Sequence, residues 1–252
     1  LILTSDLETL PIETVYARGV RVAEAGALHA SEPGYRWPES ASGTVKMARA
    51  LVPSDFDIAG QGDRVRARVI GVVENAAPTR ALEAELSVES GIVRMDRGKD
   101  IAQIALVERH RATGGVTNGF VSGFGYDVDC AMASTVAHDS HHMIVVGTDK
   151  SNMARAANRL REVGGGITVF KDGEEIALVP LPIAGLMSDA PAADVAKQAD
   201  RMVRAMATCG CTLNNGYMQH SLLALVVIPE LRISDLGLVD VTRFEKVPLL
   251  IS

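Results

Sequence analysis

Short runs of alternating polarity open this chain, and continuous apolar runs replace them further on. The segments 14–17 and 20–23 flank Arg18-Gly19 and read as two strands joined by a tight turn. Two or three strands alone are marginal in water, so residues 1–30 are expected to complete a sheet supplied elsewhere. Residues 31–63 hold Pro33, Gly34, Pro38, Ser40, Ser42, Gly43, Pro53, Gly60 and Gly62, a density of breakers that predicts a linker or extended arm, with Trp37 as its anchor. From Arg64 the texture changes. Residues 65–73 alternate and then become wholly apolar, as a strand entering a covered sheet would. Residues 101–107 read as another strand, and 134–146 as strand, turn and strand.

Helical spacing follows. Met153, Ala156, Ala157, Leu160 and Val163 share one face behind a cap at Asp149, and Gly164-Gly165-Gly166 is the stop. A second helix begins near Asp189 and Pro191, is predicted to bury Val195, Ala199, Met202, Val203 and Met206, and ends near Gly210. Between the helices, 167–170 and 175–181 flank Lys171-Asp172-Gly173, a hairpin turn signal. Strands and helices intermix without regular βα alternation. The expected class is therefore α+β, or irregular α/β: a mixed sheet with packed helices at 64–252, preceded by an arm and a few strands.

Composition narrows the functional classes. The chain has 252 residues, 47% of them hydrophobic, enough for a sizeable core. Aromatics are only 4%, which leaves the interior to aliphatic side chains and Met. The net charge of −6 is spread over mixed acids and bases, and no basic block or zinc-finger spacing supports nucleic-acid binding. The longest apolar run, 222–228, is core-sized, and no membrane span is expected. Three cysteines, Cys130, Cys209 and Cys211, suit a reducing compartment, so the cytoplasm is expected. The chain opens without Met in a strand pattern, Leu1-Ile2-Leu3-Thr4, and reads as a piece of a longer polypeptide.

Chemistry concentrates at His138-Asp139-Ser140-His141-His142, where three of the six histidines sit between apolar runs. Three functional readings stay open. His138, Asp139 and His141 could ligate zinc, manganese or iron. His138 and Asp139 could act as an oriented acid/base pair, and the same groups could hydrogen-bond a heterocycle. On a straight strand alternate residues point to opposite faces, so a single metal would need a turn inside the segment. A structural turn whose histidines satisfy backbone groups is the competing reading. Cys209-Gly210-Cys211 lacks further soft partners and reads as buried and structural. The glycine-rich stretch 114–125 lacks the Lys-Ser/Thr of a phosphate loop. It is a structural turn or a substrate-proximal loop presenting Arg109, His110, Phe120 and Phe124. No His-x-His strand motif, no His-x-Glu with Pro-Cys-x-x-Cys, and no Gly-x-Ser-x-Gly elbow is present, so no complete active site is composed here.

Several segments carry a resemblance. They are Ala-Ser-Thr-Val-Ala-His-Asp-Ser-His at 133–141, Leu-Pro-Ile-Ala-Gly-Leu-Met-Ser-Asp at 181–189, and Val-Ile-Pro-Glu-Leu-Arg at 227–232. Gly-Phe-Val-Ser-Gly-Phe-Gly at 119–125 and Ile-Ala-Leu-Val-Glu-Arg-His at 104–110 add to them. Taken in chain order, these segments run from about Arg64 to Pro248, and over that span the chain resembles the C-terminal part of bacterial adenine deaminase, of the amidohydrolase superfamily. Residues 1–30 resemble the returning strands of the small β-sandwich that flanks amidohydrolase barrels. The resemblance implies hydrolysis of adenine to hypoxanthine and ammonia. It also implies a divalent metal, manganese ahead of iron or zinc, bound mainly by a preceding TIM-like barrel that is absent here. The barrel is thus an implied partner, adenine the implied substrate, and a homodimer or higher homo-oligomer the implied assembly. His138 and Asp139 are the catalytic candidates. Ser140, Arg109, His110, Phe124 and Asp189 are the substrate-proximal ones, and His138, Asp139 and His141 the auxiliary metal candidates. The 181–189 connector is expected beside the His138 turn, with Ser188 and Asp189 capping the second helix. A non-catalytic accessory or oligomerisation module of another amidohydrolase is the competing expectation.

Overall fold

The computed structural model describes residues 1–31 and 34–251. It separates into two compact units, Leu1–Trp37 and Pro38–Ser252. In the smaller, β1 (Ile2–Leu3), β2 (Thr14–Ala17), β3 (Val20–Glu24) and β4 (Ala27–Leu28) form an antiparallel sheet in that order. Arg18 (φ 51°) and Gly19 (φ 79°) both adopt the positive φ that a two-residue hairpin turn requires. None of the described residues in this unit is buried, as expected for strands too few to enclose a core. Trp37 is 38% exposed and packs edge-on against Tyr35 at 5.0 Å, so it anchors within the small unit.

The larger unit takes in part of the stretch expected to be an arm. Residues 38–63 are mostly irregular, yet Met47, Leu51, Phe56 and Ile58 are buried in its core, which ties this stretch down as firmly as a strand would. Seven strands precede the first helix: β5 (Arg64–Gly71), β6 (Arg80–Glu89), β7 (Ile92–Val93), β8 (Ile101–Val107), β9 (Val116–Ser122), β10 (Cys130–Ser134) and β11 (Met143–Gly147). Then come α1 (Lys150–Glu162), the hairpin β12 (Gly166–Lys171) and β13 (Glu174–Pro180), and the helices α2 (Ala192–Thr208) and α3 (Gly216–Leu222). The strands β14 (Leu231–Ser234), β15 (Gly237–Asp240), β16 (Glu245–Val247) and β17 (Leu250–Ile251) finish the chain.

The main sheet runs β13-β12-β10-β11-β8-β9-β5-β6-β7, with β17 added along β5. Its pairs are antiparallel except β5 with β9. The class is α+β. Every residue of β8, β10 and β11 is buried, which is why these strands read as continuous apolar runs. Their alternate side chains feed two layers. Ala105, Ala131, Ala133 and Val145 pack with Met153, Ala156, Ala157 and Leu160 of α1. Ile104, Leu106, Met132, Ile144 and Val146 pack with Met202 and Met206 of α2 and with Leu223 and Ile233.

The Asp149 cap forms as expected, its carboxylate accepting from Asn152 N–H at 2.7 Å. For α2 the expectation needs correction. Pro191 occupies the cap position without a side-chain hydrogen bond, and Ser188 Oγ instead accepts from Ala190 N–H. Val203 (48% exposed) and Ala199 also face solvent, because α2 presents only the narrow stripe of half-buried Val195 and buried Met202, Ala205 and Met206 to the core. The short α3 had no periodicity long enough to announce it.

Candidate functional site

β10 and β11 end their pairing at Ser134 opposite Ile144, and the eight residues 135–142 form the link between them. Polar groups hold this link at almost every step. Thr135 Oγ1 donates to Gly185 O at 2.6 Å and accepts from Gly166 N–H at 2.8 Å. Val136 N–H donates to Ser134 Oγ, His138 N–H to Ser221 O at 3.0 Å, and His141 N–H to Ala137 O at 2.7 Å. The last bond closes a turn inside the segment, so the strict alternation of a strand is broken. The His138 and His141 rings then meet edge-on, 5.1 Å apart. Ala137 N–H donates to His141 Nδ1 at 3.3 Å, which leaves Nε2 to carry the proton of the neutral ring. Asp139 and Ser140 are exposed at the tip and His138 is half-buried. The turn thus offers an imidazole and a carboxylate at the surface on a backbone with little freedom.

Beneath it lies Arg109, only 1% exposed. Its Nε donates to His141 O at 2.5 Å, Nη2 to Thr135 O at 3.4 Å, and both terminal nitrogens to Ala184 O at 3.3–3.4 Å. Burial lowers its pKa, but guanidinium remains charged throughout the physiological range. Arg109 therefore holds the turn to the 181–189 connector, its guanidinium donating to backbone carbonyls of both. The expectation that the connector lies by the turn is met at Ala184 and Gly185. Asp189 is exposed, and among the described residues no hydrogen bond joins it to the turn.

His110 follows. Its Nε2 donates to Ser140 O at 2.8 Å, and its ring lies 4.7 Å from that of His142. His142 is 7% exposed, with Nε2 3.8 Å from an Asp235 carboxylate oxygen and Nδ1 buried without a partner among the described residues. Burial, then the neighbouring His110, lowers the His142 pKa, while Asp235 opposes them. Burial likewise lowers that of His141, helped by His138 and Arg109 and opposed by Asp139. Both rings are thus kept neutral near pH 7. Glu108, His110, Arg111, Thr113, His142 and Asp235 line a cleft of about 440 Å³ on this side of the turn.

Phe124 lies elsewhere. It is 1% exposed, stacked on Tyr126 at 5.3 Å and edge-on to buried His220, and belongs to the core. Phe120 is fully buried too. The glycine-rich stretch is structural: Asp100 accepts from Gly123 N–H and Gly125 N–H at 2.7 and 2.8 Å. Cys130 and Cys209 are buried free thiols. The Cys209 sulfur beside it, and burial, push the Cys130 thiol up. Among the described residues no group of three or more His, Cys, Asp and Glu side chains is placed to hold a metal ion. His138, Asp139 and His141 do not form such a set here, and His141 Nδ1 is already committed to the backbone. Thr135, Ser221 and Asp235 escaped the sequence reading, since each acts through a segment distant in sequence.

Against this geometry the comparisons are specific. A family model described as the adenine deaminase C-terminal domain matches residues 76–245. Adenine deaminase 3 of Rhizobium meliloti (strain 1021) is 66% identical over 252 residues, covering 100% of this chain and 42% of the relative. The adenine deaminase of Ruegeria pomeroyi is 68% identical over 253 residues, 99% of this chain and 42% of the relative. That of Rubrobacter xylanophilus is 45% identical over 243 residues, 96% and 40%. The chain thus spans about two fifths of the length of the curated relatives it matches. With the family match running from Ala76 through both helical layers and the His138 turn to Glu245, the chain belongs to the adenine deaminase C-terminal domain family.

Proposed function

We propose that this chain is the C-terminal part of a metal-dependent adenine deaminase, which hydrolyses adenine to hypoxanthine and ammonia. In this reading the His138 turn contributes to the mouth of an active site completed by a preceding barrel. The observation that carries it is the pairing of family membership with a surface turn that presents His138 and Asp139 on a backbone tied down at His138 N–H, His141 N–H and His141 O. A loop held this way positions a proton-transfer or substrate-orienting group, whereas a solvated link needs no such support. The described residues do not fit a complete metal set, so the divalent metal, manganese ahead of iron or zinc, is proposed to be held outside this chain. The three free thiols support a reducing, cytoplasmic setting, and a homo-oligomeric enzyme belongs to the same proposal.

Ammonia release from adenine by the full-length protein tests this. His138→Ala and Asp139→Ala should each lower kcat by about 10²-fold or more, the range of a positioned acid or base, with unfolding midpoints little changed. An unaltered rate in both variants would reduce the turn to a structural link. The isolated chain with added manganese should release no ammonia; measurable turnover there would overturn the assignment of the metal to residues outside it.

A further inference from the structure

The feature that the proposed reaction leaves unexplained is the chemistry chosen to hold the turn. Arg109 is a buried cation with no carboxylate within ion-pair distance among the described residues. Its donors are spent on three backbone carbonyls from two segments: Thr135 and His141 at the two ends of the turn, and Ala184 in the connector. The neighbourhood is shaped to receive the fork. A Cβ at Gly185 would stand 2.8 Å from Nη1, 3.0 Å from Cζ and 3.1 Å from Nη2, and Gly185 itself has φ 71°. Thr135 Oγ1 reaches across to Gly185 O and closes the same junction from the other side.

A tie with a purely structural purpose would be made at lower cost by apolar packing, because desolvating a charge is expensive. Arginine is distinct in offering several coplanar donors that fix direction as well as distance, which a lysine ammonium cannot do. Here those directions converge on the carbonyls that bracket residues 136–140. With Thr135 O and His141 O both bound to one rigid plane, the spacing of the turn's two ends is set by the guanidinium.

We propose that Arg109 is the positioning residue of the His138 turn, fixing the separation of its ends and its register against the 181–189 connector without touching substrate. It deepens the reading of the turn as part of the active-site mouth, and it rests on that reading for its kinetic consequence. Displacement of reacting groups by about 1 Å costs on the order of 10²-fold in rate, so a loosened turn should act on kcat.

The test uses the full-length protein with Arg109→Lys, and Arg109→Met as a neutral variant of similar length. Hydrogen–deuterium exchange reads the backbone independently of activity. In Arg109→Lys the bonded amides within 136–141, those of Val136, Ala137, His138 and His141, should lose protection while those of β8, β10 and β11 keep theirs. Adenine turnover is then measured in a cycle with His138→Ala. Arg109→Lys alone should lower kcat roughly 10- to 100-fold with KM changed less than about threefold. In the His138→Ala background the same change should have little further effect. Unchanged exchange at 136–141, or equal losses of rate in both backgrounds, would overturn the proposal. A His138→Ala variant with full activity would instead overturn the functional reading of the turn, and the exchange result would still decide whether Arg109 holds it. If Arg109→Met does not fold, Arg109→Lys carries both measurements.

Discussion

Replacing Glu108 by Gln should uncouple the loop under the site turn and change how stability depends on pH. Glu108 is 8% exposed, and its carboxylate accepts four hydrogen bonds: from His110 N–H (2.5 Å), Arg111 N–H (2.7 Å), Thr113 N–H (2.8 Å) and the Thr113 hydroxyl (3.0 Å). Burial works to raise its pKa, but the three backbone donors and the hydroxyl outweigh it and hold the group at about 2, against an ordinary 4.5. At 1.36 kcal/mol per unit, the ionised carboxylate contributes at most about 3 kcal/mol. The folded value is depressed, so this contribution is fully present above pH 4.5 and is lost as pH falls through 2. Glutamine keeps one acceptor oxygen but turns an NH₂ group toward backbone donors. It should therefore lower the stability measured by urea unfolding at pH 7 by about 2–3 kcal/mol. Between pH 7 and pH 3 the wild type loses about 2 kcal/mol of the Glu108 contribution, so the gap between the two proteins should shrink by that amount. A variant within 0.5 kcal/mol of wild type at pH 7, or a gap that stays constant with pH, would refute the reasoning. The loop also carries His110, whose Nε2 holds Ser140 O, so amide exchange at the turn should rise in the same variant.

Three further outcomes follow from the same geometry. Gly185→Ala should lower the urea midpoint by the equivalent of at least about 2 kcal/mol, because an L side chain at φ 71° is strained and its methyl meets the Arg109 guanidinium at 2.8 Å. Asp149→Ala should cost about 1 kcal/mol through the lost cap, whereas Asp189→Ala, which caps nothing, should stay within about 0.5 kcal/mol in the same urea unfolding. Replacing Cys209 and Cys211 together by Ser should leave the metal content of the full-length protein unchanged in elemental analysis, since no metal-holding group includes them among the described residues.

What the sequence made legible is what local chemistry dictates. The apolar runs of β8 and β11 announced covered strands because every residue in them is buried. The Arg18-Gly19 and Asp172-Gly173 turns and the Asp149 cap were readable because each needs only residues within a few positions. The second helix was found but its face was misjudged. Ala199 and Val203 are apolar at helical spacing, yet the depth of α2 against β12 and β13 decides whether they are covered, and no periodicity contains that distance. The glycine-rich stretch misled for a similar reason: Phe124 looks like a loop aromatic until β9, β10 and α3 enclose it.

The site itself divides along the same line. His138 and Asp139 stood out by composition, and the break in strand alternation between His138 and His141 is the turn that their close approach required. Its foundation was invisible because it is assembled from four separated places: Arg109 after β8, Thr135 after β10, Gly166 opening β12, and Gly185 in the connector. Each looks ordinary alone. An arginine between Glu108 and His110 reads as a surface cation able to meet a substrate, and only burial at 1% exposure converts it into a brace. The constraint on Gly185 likewise comes from the Arg109 guanidinium rather than from its own turn alone. A polar cluster announces where chemistry can occur, whereas the groups that hold it still are buried, singly charged or small, and identified by what they touch.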